Sequence, residues 1–361
     1  MKKIVSLIVS LGILALIYWR LSENGQLAEL GRIFLDCDGL WMALSLGMVV
    51  PLTLFTSWRL QQLMPHVGQL GFGEANKLIL VASVLNLVLP SKMGDIAKAW
   101  FMRDRGHLSG SLALSLVVFE KTCDMLSLLL WCVFGLIWFG RATVTDTSGA
   151  DIVGAVDRFT TGGESLPIGL THGAQLYLVC LLSVAGLLVF GLLLICSPKF
   201  ARFFFALGGR FAPGKMKAKF GKLGASWGEM HAYFWASKAR LLKVALTSVF
   251  IWFLHLLQIW MFILALKAWA PFLANLALSP LAILAGLLPL TFAGVGTRDA
   301  ALVLFYAPYF AAPTAAALGL LCTARYLLPA LGGLPFAGEY LRVAKRAREN
   351  PKEAASQEVA S

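Results

Sequence analysis

Long apolar stretches alternate with short polar ones along most of the chain. A helix needs about 20 apolar residues to cross the hydrocarbon core of a bilayer, so each stretch near that length predicts a transmembrane helix. Such stretches lie near residues 4–19, 41–58, 109–139, 174–196, 242–266 and 313–336. The pattern predicts an all-α polytopic membrane protein with about six full spans, forming a single transmembrane domain over residues 1–341.

Two further apolar stretches are unusual. One begins at Leu78, is short and ends at Pro90, and the other is interrupted by a glycine-rich segment. Proline ends a helix, and glycine permits a tight reversal because it tolerates positive φ. These features predict two re-entrant helical hairpins, near residues 78–102 and 281–306.

The distribution of charge predicts the orientation in the membrane. Lys and Arg collect in segments 198–240 and 342–361, whereas acidic residues outnumber basic ones in segments 20–40 and 140–173. Positive residues translocate poorly, so the first two segments and both termini are expected in the cytoplasm. Segment 91–107 is also net basic, and it stays on the cytoplasmic side only if the first short stretch turns back.

The two turns share a pattern of leucine-proline, then glycine, then an acid. The residues that form this pattern are Pro90, Gly94 and Asp95 in the first turn, and Pro289, Gly294, Gly296 and Asp299 in the second. Two hairpins entered from opposite faces are typical of an inverted repeat, and such folds place the ligand where the broken helices meet. Eight simple spans are the alternative.

Cations near these turns predict a site for an anion. A return helix that begins within the membrane presents free N–H groups and about half a positive charge at its N-terminus. Lys92 and Arg298 lie beside the two turns, and Arg325 lies inside the last span. These three residues are the candidates for binding an anionic head group. Interfacial loops whose basic side chains snorkel to the head groups are the alternative.

The third span contains Glu120, Lys121 and Asp124 within an apolar run. Ionisable groups at membrane depth are costly, so they normally face the protein interior and have partners. Glu120 and Asp124 are four residues apart and share a helix face. We expect a nearby cation, with the three candidates above as possible partners. The acids could couple an ion to transport, act as acid and base, or neutralise an arginine.

Segment 198–240 carries an apolar stripe beside several lysines. The stripe consists of Met216, Phe220, Leu223, Trp227, Met230 and Phe234, at spacings of three and four. This pattern predicts an amphipathic helix that lies on an anionic leaflet. Packing against a partner subunit is the alternative. The tail, residues 342–361, begins basic and is then expected to be disordered.

Composition narrows the function classes. The chain has 361 residues, of which 58% are hydrophobic, and its net charge of +12 is spread over short loops, so no nucleic-acid groove is expected. The six cysteines form no CxxC pair, and no nucleotide-binding loop or nucleophile motif is present. We therefore expect no metal, no cofactor and no catalytic residue.

Several of these motifs together resemble a known family. They are Ser57-Trp58-Arg59, Asn86 with Leu89-Pro90 and Gly94-Asp95, Phe119-Glu120-Lys121 with Asp124, Gly294-Val295-Gly296 with Arg298-Asp299, and Arg325. The chain resembles the transmembrane domain of lysylphosphatidylglycerol synthases and related flippase-like membrane proteins. Lys121 stands where the family usually has arginine, and Asp299 where it usually has glutamate. Both departures keep the charge.

The resemblance implies transfer of a lipid, or of a lipid-linked anionic head group, between the leaflets of a bacterial cytoplasmic membrane. It does not imply lysyl transfer, because the soluble aminoacyltransferase domain is not expected in this length. The alternative is a membrane-embedded transferase acting on a polyprenyl phosphate or phospholipid, with Glu120 or Asp124 as the base. The expected partners are membrane lipids, with an oligomer or partner subunit left open.

Overall fold

In a computed structural model, the described part of the chain folds into helices. The structure describes residues 2–23, 25–65, 70–88, 94–106, 108, 110–145, 172–212, 214–287, 291 and 294–349. Within these ranges all regular secondary structure is helical, with no strand. The predicted all-α class is confirmed.

The helices of the first half follow the predicted apolar stretches closely. They are α1 (Lys2–Glu23), α2 (Leu27–Leu35), α3 (Gly39–Gly47), α4 (Val49–Leu63), α5 (Phe72–Val88), α6 (Gly94–Gly106), α7 (Gly110–Thr145) and α8 (His172–Cys196). Asp38 begins α3, where its carboxylate accepts hydrogen bonds from the backbone N–H groups of Leu40 and Trp41.

The second half contains shorter helices between its long ones. They are α9 (Pro198–Phe211), α10 (Gly214–Trp235), α11 (Lys238–Ala265), α12 (Phe272–Gly286), α13 (Thr297–Phe305), α14 (Ala312–Ala324) and α15 (Leu327–Glu349). The basic residues at the start of the predicted tail belong to the end of α15, and residues 350–361 lie outside the described ranges.

Among the described residues, four helical stretches are long and apolar enough to cross a membrane. They are Gly39–Leu63, Leu178–Cys196, Lys238–Ala265 and Ala312–Gly338. These stretches coincide with the predicted second, fourth, fifth and sixth spans, which makes the chain a multi-pass membrane protein. The predicted first and third spans fall within α1 and α7.

The chain divides into two compact units. Unit 1 comprises Met1–Val49, Leu128–Leu188 and Trp252–Arg325, and unit 2 comprises Val50–Ser127, Val189–Ile251 and Tyr326–Ser361. Four of the five divisions fall inside helices, namely α4, α7, α8 and α11, so each of these helices contributes residues to both units.

Unit 2 contains the first predicted hairpin, formed by α5 and α6. A Cβ atom at Gly94 would lie 2.3 Å from the carbonyl oxygen of Ala82 and 2.8 Å from the backbone nitrogen of Asn86. Residue 94 therefore lies directly against α5, and the chain has reversed direction between the two helices. Pro90, which was expected to end the first helix, lies outside the described residues.

Unit 1 contains the second predicted hairpin, formed by α12 and α13. Gly294 and Gly296 have φ values of 78° and 96°, in the left-handed region that glycine adopts most easily. A Cβ atom at Gly294 would lie 2.6 Å from the carbonyl oxygen of Gly286, the last residue of α12. Pro289 lies outside the described residues. The membrane face from which each hairpin enters stays a prediction.

The apolar stripe of segment 198–240 lies differently from the expectation. Met230 and Phe234 are buried within unit 2, and the ring of Phe234 stacks on Phe119 with 3.8 Å between ring centroids. Trp227 donates a hydrogen bond from Nε1 to the carbonyl oxygen of Leu194. Trp227, Met230 and Phe234 therefore pack α10 against the protein. An apolar face that makes these contacts inside the chain is not available to contact lipid. The side chains of the other three members lie outside the described residues.

Candidate functional site

Unit 2 buries a network of charged side chains, the Arg59 network, made of Arg59, Lys98, Glu120 and Asp124. Its centre is Glu120, only 1% exposed, on α7. One carboxylate oxygen, Oε1, accepts a hydrogen bond from Arg59 Nη2 of α4 at 2.8 Å. The other oxygen pairs with the Lys98 ammonium of α6, which is 2% exposed. Two cations from different helices therefore share one acid.

Arg59 also binds the second predicted acid. Its Nη1 atom lies 2.5 Å from Asp124 Oδ1 and donates to Ser248 Oγ of α11 at 2.9 Å. The spacing of four residues places Glu120 and Asp124 on one face of α7, as predicted, so a planar guanidinium reaches both. Through these contacts the network connects α4, α6, α7 and α11.

Lys121 lies at the exposed edge of this network. Its ammonium is 3.2 Å from Asp95 and 3.7 Å from Asp124, and its side chain is 46% exposed. Asp95 belongs to the first turn of α6, one of the predicted broken-helix residues. With Lys121 and Asp95 included, three cations face three acids, so the group is formally neutral.

The partners of the acids differ from the three candidates named from the sequence. The structure pairs Glu120 with Arg59 and Lys98, and Lys92 lies outside the described residues. A signal for both cations was present in the sequence. Arg59 belongs to one of the motifs of the resemblance, and Lys98 lies three residues after Asp95, on the same side of α6.

Unit 1 contains a second buried group, the Arg298 network, made of Arg298, Asp299, Gly319, Cys322 and Thr323. Arg298 Nε and Nη2 donate to Asp299 Oδ1 at 3.0 and 2.7 Å. The other oxygen of Asp299 accepts a hydrogen bond from the backbone nitrogen of Gly296 at 2.9 Å, which fixes the turn at the start of α13.

Arg298 also ties α13 to the end of α14. It donates to the carbonyl oxygens of Gly319 and Cys322 at 3.1 and 3.3 Å, and to Thr323 Oγ1 at 2.6 Å. Both Arg298 and Asp299 are only 5% exposed. Asp299 therefore occupies Nε and Nη2, two of the three nitrogen atoms that an anion could bind.

Arg325, the third predicted cation, follows α14 and is 4% exposed. Its Nη1 atom donates to Gln258 Oε1 at 3.4 Å, and the Gln258 amide donates in turn to the carbonyl oxygen of Ser45 at 2.8 Å. This chain of contacts connects the end of α14 with α11 and α3 inside unit 1.

One buried polar group in unit 1 was not predicted from the sequence. Tyr306 donates to Asn275 Oδ1 at 3.0 Å, and its hydroxyl lies 2.8 Å from Ser279 Oγ. The available signal was the spacing of four between Asn275 and Ser279 in an otherwise apolar helix. The group joins α12 to the end of α13, so it supports the hairpin that carries Arg298.

A narrow apolar groove borders the carboxylate of Asp299 in unit 1. The residues that line it are Leu14, Ile17, Tyr18, Asp299, Val303, Ala316 and Leu320. Its volume is about 10 Å³, which is room for about one water molecule and far less than a ligand pocket needs. Within the described ranges, no cluster of His, Cys, Asp and Glu is suited to holding a metal ion.

Comparison with known proteins agrees with the resemblance inferred from the motifs. A model of the family described as the lysylphosphatidylglycerol synthase TM region matches residues 4–333. The match covers both units and both buried networks, and it confirms the family expected from the sequence. No curated protein matches the chain.

Proposed function

We propose, from the premise that the chain belongs to the lysylphosphatidylglycerol synthase TM region family, that it moves a lipid or lipid-linked anionic head group between leaflets. The membrane is the cytoplasmic membrane of a bacterium, with both termini of the chain in the cytoplasm. The substrate is recognised by its negative charge, and the hydrocarbon part stays in contact with apolar surface.

One observation carries this proposal. In each unit the return helix of a hairpin bears a buried cation held by a buried acid, Lys98 with Glu120 and Arg298 with Asp299. Replacing a buried ion pair by apolar residues is often neutral or stabilising, so stability alone gives little reason to keep such pairs. A ligand that exchanges with one member of the pair gives a functional reason.

The exchange would proceed by substitution of one anion for another. A phosphate offers the same oxygen acceptors as a carboxylate and suits the planar fork of an arginine. A head group that takes the place of Asp299 on Arg298 would bring its acyl chains against the apolar side chains that border Asp299, and these side chains would have to separate to admit them. Before the substrate binds, Asp299 neutralises Arg298. Glu120, Lys121 and Asp124 have the corresponding charge-coupling role in unit 2.

The remaining predicted residues complete the proposal. Lys92 and Arg325 are further cations for the head group, one beside the first turn and one after α14. The turns at Gly94 and at Gly294 to Gly296 are the points at which the hairpins would bend during alternating access.

The test is lipid translocation in proteoliposomes. Wild type, Glu120→Gln and Arg298→Gln are compared using fluorescent phosphatidylglycerol and phosphatidylcholine. Glu229→Gln is the matched control, because Glu229 is an exposed acid on α10. We expect protein-dependent movement of the anionic lipid in wild type and control, and loss of most of it in both buried variants.

Two results would contradict the proposal. One is equal movement in all four proteins, with insertion of each confirmed by protease protection. The other is turnover of a labelled lipid in detergent without a second compartment, which would favour the membrane-embedded transferase.

A further inference from the structure

Helix α9 is fixed to unit 2 by one of its faces. Ala201 is buried, and the ring of Phe204 packs edge-on against Phe190 of α8 with 5.1 Å between centroids. Phe205 lies 5.9 Å from the ring of Trp227 on α10. These contacts decide which side of α9 remains open.

The open face of α9 combines large apolar side chains with cations. Phe203, Leu207 and Phe211 follow one another at spacings of four and are 62%, 40% and 80% exposed. The exposed charged residues of the helix are Lys199, Arg202 and Arg210, and the helix contains no acid. Exposed aromatic residues at one helix face are unfavourable in water, so a partner for this face is required.

The position of α9 in the chain identifies the partner. It begins directly after α8, whose last 19 residues form one of the membrane-crossing stretches, and Ser197 separates the two helices. The backbone N–H of Phe200 donates to Ser197 Oγ, which caps the start of α9. A helix that starts where a span ends lies at the level of the lipid head groups.

We propose that the open face of α9 binds the anionic head groups at this membrane surface. Phe203, Leu207 and Phe211 enter the boundary between head groups and acyl chains. Lys199, Arg202 and Arg210 extend to the phosphates, as basic side chains on interfacial helices do. This assigns to α9 the surface role that the sequence pattern predicted for α10.

Helix α10 provides an internal comparison. Its Trp227, Met230 and Phe234 face the protein, and the residues on its exposed side include Gly228, Glu229 and Ala232. Residues 225–235 of this helix contain Glu229 and neither Lys nor Arg, in contrast to the lysine-rich start of α10, so this part has no electrostatic attraction for an anionic membrane. Residue 229 is therefore a suitable aqueous reference for measurements on α9.

The experiment measures immersion depth by spin labelling of the full-length protein. A nitroxide is attached at Ala206→Cys, on the open face, or at Glu229→Cys, with the six native cysteines replaced. Accessibility to oxygen and to a water-soluble nickel chelate is compared in nanodiscs of phosphatidylcholine alone and of equimolar phosphatidylcholine and phosphatidylglycerol. We expect nickel accessibility at residue 206 to fall several-fold in the anionic nanodiscs and to stay high at residue 229.

A charge variant tests the cations. The triple variant Lys199→Gln, Arg202→Gln, Arg210→Gln should abolish the effect of phosphatidylglycerol at residue 206. The matched control is the triple variant Lys217→Gln, Lys238→Gln, Lys243→Gln, which removes the same charge from exposed positions outside α9. This control should retain the effect of phosphatidylglycerol at residue 206. Circular dichroism and gel filtration confirm that each variant is folded.

Three outcomes would overturn the proposal. The first is equal nickel accessibility at residues 206 and 229 in anionic nanodiscs. The second is an immersion that the charge variant leaves unchanged. The third is dipolar coupling between labels at residue 206 of two copies in every lipid, which would show that a second copy covers this face.

Discussion

Adjacent residues on α7 show how strongly burial changes the role of a charge. Glu120 is 1% exposed and lies between Arg59 and Lys98, whereas Lys121 is 46% exposed and faces Asp95. Removing one member of a buried ion pair leaves an uncompensated charge, whereas an exposed pair contributes little. Charges of equal magnitude at neighbouring positions are therefore expected to have unequal effects on stability.

The first prediction concerns Glu120→Gln, which removes the acid shared by two cations. We expect the free energy of unfolding to fall by about 3–5 kcal/mol, the usual cost of breaking a buried pair. Lys121→Gln should cost less than about 1 kcal/mol, since its pair is half-exposed. Thermal unfolding in detergent, followed by circular dichroism, measures both.

A compensating variant separates charge imbalance from lost packing. Lys98→Met in the Glu120→Gln background removes the unbalanced ammonium and should restore part of the lost stability. An equal fall for Glu120→Gln and Lys121→Gln, or a further full loss in the double variant, would contradict the charge-balance account.

The sequence identified the buried acids but not their partners. Three ionisable residues within an apolar run are visible in the sequence, and so is the need for a cation. The cations themselves are 61 and 22 residues distant from Glu120, and only folding brings them together. For Arg298 the sequence indicated a free cation at a helix start. It gave no sign that Asp299, the next residue, folds back onto the guanidinium.

At the scale of helices, close backbone approach determines where glycine is needed. Gly94 lies against the backbone of α5, so any side chain there would meet main-chain atoms that cannot move alone. Gly228, by contrast, lies on α10, where an added Cβ atom would meet no neighbouring atom within 4 Å. The two glycines form a matched pair for substitution.

The second prediction is that Gly94→Ala opens the α5–α6 hairpin. The added methyl would lie 2.3 Å from the Ala82 carbonyl oxygen, so we expect a loss of about 1–3 kcal/mol, typical of overpacking. Gly228→Ala should instead stabilise the protein by about 0.5–1 kcal/mol, because alanine favours an exposed helix. Unfolding midpoints in detergent measure both, and a neutral Gly94→Ala would contradict the close packing.

The sequence located the close backbone approaches at Gly94 and Gly294 because the effect of glycine is local. That the two hairpins re-enter the membrane stays a prediction. The apolar pattern assigned the membrane-facing helix of segment 198–240 less well, because periodicity shows that a face is apolar but not what covers it. In α10 the face of Met230 and Phe234 is covered by unit 2, and in α9 the face of Phe203 and Phe211 is exposed. From the sequence alone, the apolar stripes of α9 and α10 are equally consistent with contact to lipid.

For the whole molecule, the length of the apolar stretches located four helical stretches among the described residues that are long enough to cross a membrane. The total of about six crossings stays a prediction. The division into two units could not be predicted from the sequence, because four of its five boundaries fall inside helices α4, α7, α8 and α11. The sequence of a continuous apolar helix does not show which part of the helix packs against which neighbouring helix. The side of the membrane reached by each loop remains a prediction from charge.

The third prediction tests that topology. If residues 78–102 form a re-entrant hairpin, Gly106→Cys should react with an impermeant maleimide only from the cytoplasmic side. The six native cysteines are replaced, because Cys196 is exposed and would also react. Ala236→Cys is the cytoplasmic reference, and Leu35→Cys is the external reference because Leu35 is 86% exposed. Labelling of inside-out and right-side-out vesicles distinguishes the sides. Reaction of Gly106→Cys from the external side would favour eight simple spans.

The order of the helices has a consequence for biogenesis. Arg59 and Lys98 precede Glu120 along the chain, so the ribosome releases both cations before the acids of α7. An acid at the centre of a lone helix costs about 2.5–3.5 kcal/mol to insert through the translocon. Helix α7 can instead meet α4 and α6 on entry and join a group that becomes neutral as it assembles. A permuted chain with α7 first would have to insert both acids before Arg59 and Lys98 were made.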